Sequence, residues 1–255
     1  MSSESSGAVA PVAFGLTVIG DEVLNGSRSD DHFSHFKALL TAIGHDLAWF
    51  RVLPDDPRVL TDELRFSMSR DDPVFVCGGI GATPDDHTRA CAASAAGVSL
   101  VCHPRAKDLI EGRFGSDAYP YRILMADLPR GCTLIPNPFN QIPGFEVGNH
   151  YFLPGFPEMA WPMAEWVLSR GFRAVVEPRC ERAVRVFGVP ESLLVPIMRR
   201  IGPRYPELKL FSLPHLGQDA HVLLGFRGRR QVDEAIDSLR DELDAERMSW
   251  TASAD

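Results

Sequence analysis

The residues best suited to chemistry stand in one string, Gly78-Gly79-Ile80-Gly81-Ala82-Thr83-Pro84-Asp85-Asp86-His87-Thr88. Glycines that follow a strand let the backbone come close to a ligand. Their N–H groups, with the first turn of a following helix, make a nest for an anion. Two carboxylates directly behind such a nest repel a phosphate unless a cation or a donor-rich ring lies between. The simpler alternative is a bare tight turn in which Asp85 or Asp86 caps the next helix. Further acidic pairs stand at Asp21-Glu22, Asp30-Asp31, Asp55-Asp56 and Asp71-Asp72. Asp30, Asp31, His32 and His35 allow either a metal group or a helix start with a capping Asp. Arg28 and Arg89 flank the glycine string and are candidates to pair with phosphate or to lie solvated on a helix.

Those residues need a scaffold. Val12 to Ile19 is almost unbroken apolar sequence ending at Gly20, as suits a central parallel strand covered on both faces. Phe33, Phe36, Leu40 and Ile43 follow at helical spacing and stop at Gly44. Leu47 to Leu53 reads as a second strand, and Pro57 opens a helix. Val74 to Cys77 is a short strand running into the glycines. Beyond it the pattern predicts a helix over 86–96, helical stretches at 105–113 and 119–127, and a Pro/Asn/Gly-rich segment from Pro136 to Phe145. A strand from Tyr151 to Leu153 and a helix from Phe156 to Ser169 complete the region.

Strands alternating with helices predict an α/β fold, a three-layer, doubly wound, mostly parallel sheet over 12–170. Right-handed crossovers bring the loops after the strands to one edge. Asp21-Glu22, Asp55-Asp56 and Asp85-Asp86 all fall in such loops. After Gly171 the order strand, helix, strand, strand, helix predicts a small α+β domain over 171–246. Met1 to Pro11 reads as a disordered tail without the basic start of a signal peptide, and 247–255 as a second tail.

The 255 residues carry 26 bases against 34 acids, a net charge of −8. That argues against nucleic-acid or membrane-surface partners, both of which need a dominant basic face. The whole excess lies in residues 1–170, with 13 bases and 21 acids. No apolar run approaches the ~18–20 residues that span a bilayer. Five cysteines without a CxxC pair fit reduced thiols in a cytoplasmic protein rather than a zinc site.

The glycine string resembles the GGxGxxxxDxT signature of the molybdenum-cofactor biosynthesis, or molybdopterin-binding, domain family. Gly20-Asp21-Glu22-Val23-Leu24-Asn25-Gly26 is similar to the GDELLxG opening of its branch called competence/damage-inducible protein A. Pro136-Asn137-Pro138 with Pro143-Gly144-Phe145, and Leu153-Pro154-Gly155-Phe156-Pro157 with Glu158-Met159, resemble two further segments in the same order. Val186 to Ser192 is similar to a stretch of the small domain that follows in that branch. Nothing here matches the amide-hydrolysing domain of longer relatives, so no deamidation is expected. Three departures stand out: Asp31-His32 replaces the usual residues behind Asp30, Phe156 replaces a small residue, and Glu158 comes one residue early.

The resemblance implies a ligand site at the carboxyl edge of the sheet. Carried over by position, Gly20, Asp21, Glu22, Gly78, Gly79, Gly81, Thr83, Asp85, Thr88, Pro154 and Gly155 would bind ligand. Asp55 and Asp86 would be catalytic, and Asp21, Glu22 and Asp86 would hold Mg²⁺ or another divalent cation. Three functions stay open. One is a protein binding molybdopterin or a related phosphorylated pterin or nucleotide. The second is a divalent-metal-dependent nucleotidyl transferase or pyrophosphatase acting on an ADP-ribose-type substrate. The third is a non-catalytic binding or regulatory module. Relatives' assembly implies a homo-oligomer, a dimer or trimer.

Overall fold

Phe14, Leu16 and Val18 of strand β1 (Ala13–Ile19) face one hydrophobic core, while Ile19 packs into a second. The same division recurs in β3 (Val74–Cys77), where Val74 and Val76 face the second core and Phe75 and Cys77 the first. Side chains alternate between the two sides of a sheet, so strands that are apolar on both sides need a layer of helices on each. The computed structural model describes residues 10–175, 177 and 179–253 and shows that three-layer arrangement. The tail expected at 1–11 falls, apart from Ala10 and Pro11, outside the described residues.

The chain divides into two compact units, Met1–Val176 and Glu177–Asp255. In the first, a one-turn helix α1 (Asp21–Leu24) and α2 (His32–Ala42) follow β1. Then come β2 (Asp46–Leu53), α3 (Pro57–Met68), β3 and α4 (Thr88–Ala95). The strand β4 (Leu100–Cys102), α5 (Pro104–Phe114) and β5 (Asp127–Pro129) lead to β6 (Thr133–Ile135), β7 (Gly144–Val147), β8 (His150–Leu153) and α6 (Pro157–Gly171). The main sheet has the order β2-β1-β3-β8-β7-β6. Its first four strands run parallel, and β7 is antiparallel to both its neighbours. Phe36 and Leu40 of α2 and Met163 and Val167 of α6 fill one core. Leu60 and Leu64 of α3 and Ile110 of α5 fill the other.

The second unit contains β9 (Cys180–Phe187), α7 (Val195–Ile201), β10 (Lys209–His215), β11 (His221–Gly228), α8 (Val232–Ala245) and β12 (Ser249–Ala252). Its antiparallel sheet, ordered β10-β11-β9-β12, packs Val184, Val186, Leu224 and Phe226 against Ile197, Ile201, Ile236 and Leu239.

Three expectations are corrected. The second tail is in part a strand: β12 pairs with β9, and Trp250 packs on the unit's core. The helical stretch at 119–127 is a short 3-10 turn, Arg122–Ala126, giving way to β5, which pairs with β4. The Pro/Asn/Gly-rich segment supplies the start of β7, because Gly144 and Phe145 pair with Ile135 and Leu134.

Candidate ligand-binding site

Register brings the strand ends level. Val18 pairs with Cys77, Ile19 with Leu53, and Cys77 with Leu153. Because β2 and β3 lie on opposite sides of β1, the chain leaves the sheet in two directions there and opens a crevice, the usual ligand position in open α/β sheets. A cleft of about 490 Å³ occupies this edge. Gly20, Glu22, Asp55, Gly78, Gly79, Gly81, Thr83, Asp85, Asp86, Pro154 and Gly155, all expected from the sequence, line it. Asp21 and Thr88 do not: Thr88 is buried behind Gly79, its N–H bonded to the Gly79 carbonyl at 3.0 Å.

Two glycines are required by the geometry. Gly78 and Gly79 have φ of 117° and 65°, a region that side chains disfavour. A Cβ on Gly78 would come within 2.3 Å of the Ile19 carbonyl oxygen, and one on Gly79 within 2.3 Å of Thr88 Oγ1. The anion nest expected here is nevertheless reduced. The Gly78 N–H donates to the Leu153 carbonyl at 3.0 Å, and the Gly81 N–H to Asp86 Oδ1 at 2.9 Å.

Asp86 serves the loop rather than a helix cap. Besides Gly81, it accepts from the Thr83 N–H at 2.7 Å and the Thr83 hydroxyl at 2.6 Å. Helix α4 accordingly begins at Thr88, two residues later than the sequence pattern indicates. Asp86→Asn would turn an amide N–H₂ toward one of these donors. The expected outcome is a stability loss of about 1–2 kcal/mol, read as a lower urea midpoint; an unchanged midpoint would remove this role.

Asp55 and Asp21 lock the β1 and β2 loops together. The Asp21 N–H donates to Asp55 Oδ2 at 3.0 Å, and the Asp55 N–H to Asp21 Oδ1 at 3.3 Å. Burial, reinforced by the charges of Asp21, Glu22 and Asp85, raises the proton affinity of Asp55 above the ordinary aspartate value even though the Asp21 N–H opposes it. Asp56 instead caps α3, accepting from the N–H groups of Arg58 and Val59. Among the described residues no three His, Cys, Asp or Glu side chains are gathered to hold a metal ion. Asp86 accepts three hydrogen bonds within its own loop. Asp30 caps α2 through the N–H groups of His32 and Phe33, the helix-start role considered for that segment.

The two flanking arginines part ways. Arg89 is 9 % exposed, and its guanidinium donates to the carbonyls of Gly81 at 2.8 Å, Asp127 at 3.0 Å and Leu124. It supports the loop from behind and does not line the cleft. Arg28 does line it, stacking 5.3 Å from the Phe156 ring centre and donating to the Gly155 carbonyl at 3.3 Å. The same carbonyl faces Nε2 of buried His32 at 3.3 Å, while the Trp161 N–H donates to His32 Nδ1 at 3.3 Å. That donor leaves Nε2 as the protonated nitrogen, so His32 donates to Gly155 and fixes the turn after β8.

The family model described as "Probable molybdopterin binding domain" matches residues 15–174. The chain belongs to this family. It is 30% identical to a protein of Pyrobaculum calidifontis over 91% of this chain and 94% of the other. A CinA-like protein of Citrifermentans bemidjiense is 33% identical over 75% of this chain, a match spanning 48% of that protein's own length. Among solved structures, the protein CinA of unknown function from Thermoplasma acidophilum is 27% identical, with a TM-score of 0.58, covering 62% of this chain and 97% of that one. Membership accords with the pterin-type small-molecule partner expected from the motifs. No helix among the described residues is long and apolar enough to cross a membrane.

Several cleft residues lie outside the site expected from the sequence, two of them polar. Asn137 and Asn140 reach it from the turn between β6 and β7, which rises at the carboxyl edge because β7 runs against β8. The Pro136-Asn137-Pro138 segment was visible only as a family motif, without a role for its asparagine. Phe114 and Met125 also line the cleft, together with Ile80, Ile142 and Met159.

Proposed function

We propose that this domain binds a small phosphorylated pterin, a ligand of the molybdopterin type, in the cleft at the carboxyl edge of its sheet. The carrying observation is the uneven distribution of chemistry along that edge. Carboxylates Glu22, Asp55 and Asp85 come from the loops after β1, β2 and β3, whereas the apolar lining comes from elsewhere: Phe114 from the end of α5, Met125 from the 3-10 turn before β5, Ile142 from the turn between β6 and β7, and Met159 from α6. Arg28 is the one Lys, Arg or His side chain in the described lining. A flat ring rests on the apolar wall, its phosphate pairs with Arg28, and carboxylates accept from the ring's N–H groups.

Arg28 keeps most of its five N–H donors for a phosphate, a charge-assisted pairing of roughly twice ordinary hydrogen-bond strength. Fluorescence titration with 6-phosphomethylpterin and 6-hydroxymethylpterin tests this. The unaltered protein is expected to prefer the phosphate. Arg28→Ala should weaken the phosphate ester by roughly 10–100-fold and leave the alcohol unchanged. Equal affinities for both ligands in the unaltered protein would refute the role given to Arg28. No pterin binding, together with AMP release from ADP-ribose in the presence of Mg²⁺ or Mn²⁺, would replace the binding reading with the pyrophosphatase one.

A further inference from the structure

Asn137 is 4 % exposed and forms part of the cleft wall, yet its amide nitrogen has no hydrogen-bond partner among the described residues. The orientation of the amide is fixed: Oδ1 accepts from the Phe139 N–H at 3.0 Å, so the two N–H donors occupy the other position. The backbone adds a second tie, since the Gln141 N–H donates to the Asn137 carbonyl at 3.0 Å. The neighbouring asparagine behaves differently. Asn140 Oδ1 accepts from the Ile142 N–H at 2.9 Å, and its Nδ2 lies 3.1 Å from the Met159 sulfur. Of the two amides on this wall, that of Asn137 is the buried one, and its nitrogen is without any partner among the described residues.

A buried donor without a partner is costly, at about 1–3 kcal/mol. An acceptor delivered by a ligand cancels that cost, and a ligand presenting a donor at the same place does not. A site built this way discriminates strongly between ligands that supply the matching group and those that lack it. The carboxylates of the β1, β2 and β3 loops accept hydrogen bonds, so the cleft as a whole calls for a ring with donors toward one part of its edge and an acceptor toward another.

From this we infer that Asn137 is a specificity-determining residue that reads a ring carbonyl of the bound heterocycle, selecting keto-bearing rings over amino-substituted ones. The inference rests on the pterin reading above and assigns its wall residue a task. Asn137→Asp is the informative variant: it keeps the acceptor for the Phe139 N–H, so the turn is retained, and replaces the two donors by an acceptor.

The test compares two fluorescent probes, 6-phosphomethylpterin and its 2,4-diamino counterpart, in which the C4 carbonyl becomes an amino group and the adjacent N3 loses its hydrogen. The unaltered protein should bind the keto probe at least about 10-fold more tightly. Asn137→Asp should reverse the order, and Asn137→Ser, whose hydroxyl can still accept from Phe139, should bring the ratio near one. Thermal unfolding checks that each variant folds, and the serine protein decides the matter if the aspartate one does not. A keto-to-amino ratio that is the same in parent and variants overturns the inference while leaving the pterin reading intact. Arg28→Ala separates the two claims: it should weaken both probes alike and preserve their ratio. Failure of the unaltered protein to bind either probe overturns both.

Discussion

Replacing Arg89 with methionine is expected to lower the stability of the first unit by about 4 kcal/mol, with a fall in melting temperature of roughly 8–16 °C. The side chain is almost fully buried and carries no carboxylate partner in hydrogen-bond contact. Its two terminal nitrogens donate to three backbone carbonyls, those of Gly81, Leu124 and Asp127, drawn from segments about forty residues apart in sequence, while its buried Nε has no partner among the described residues. Burial lowers its proton affinity, with Asp127 and Asp86 acting in the opposite sense. Methionine of similar length would fill the space but leave three carbonyls without their donor, a loss of about 1–3 kcal/mol for each that water does not reach. Arg89→Lys keeps the charge without the planar fork and should recover about half of the loss. Because Gly81 lines the cleft, pterin affinity should fall in parallel. A methionine variant melting within about 2 °C of the parent would show that these carbonyls do not depend on Arg89.

That residue also marks where the sequence stops being legible. The β1, β2 and β3 strands, the helices between them and the glycine string are local patterns, and each is recovered within a few residues. Their loops share one edge because parallel strands joined by right-handed crossovers leave no alternative. What the pattern cannot carry is direction and partnership. Arg89 sits at helical spacing that reads equally as solvated or as phosphate-facing. Its inward orientation depends on Leu124 and Asp127, which approach only after β5 has paired with β4. Asp86 looks like a helix cap because its acceptors precede a helix, yet its hydrogen-bond partners lie behind it in the loop.

The acidic pairs were legible as a rim but not as separate roles. Within Asp55-Asp56 one carboxylate ties two loops together while its neighbour caps a helix, a division set by backbone angles. Asn137 is the furthest from view. A Pro-Asn-Pro segment announces a turn, and only the antiparallel return of β7 brings that turn to the same edge as the glycines. Strand β12 was hidden for a simpler reason: four residues near a chain end have too short a pattern to distinguish from a tail, and pairing with β9 supplies the order.

Lowering the pH from 7 to 4 is expected to cost the protein about 3 kcal/mol through His150 alone. This residue, at the start of β8, is 0 % exposed. Its Nδ1 lies 2.8 Å from the Gly148 carbonyl, which can only accept, so Nδ1 carries the proton. Nε2, 2.7 Å from the Ser67 hydroxyl on α3, is then the acceptor. The neutral ring thus joins β8 to α3; a second proton on Nε2 would reverse that bond and turn the Ser67 hydroxyl to its other acceptor, the Leu64 carbonyl at 3.1 Å. Burial pushes the pKa down from 6.5 to about 4, outweighing the Gly148 carbonyl, which favours the charged form. Between those two values the unfolded chain binds the proton and the folded one does not, so the stabilisation is complete above about pH 6.5 and disappears as the pH falls toward 4. Urea unfolding of the parent and of His150→Phe at pH 7, 5.5 and 4.5 isolates this contribution, because the carboxylates and the remaining histidines are common to both proteins. The phenylalanine variant should be the less stable at pH 7, having lost both hydrogen bonds, and the gap should close by about 2–3 kcal/mol at pH 4.5. Parallel pH profiles would mean that the ring is protonated as easily in the folded protein as in the unfolded chain, and that its burial between Ser67 and Gly148 does not hold it neutral.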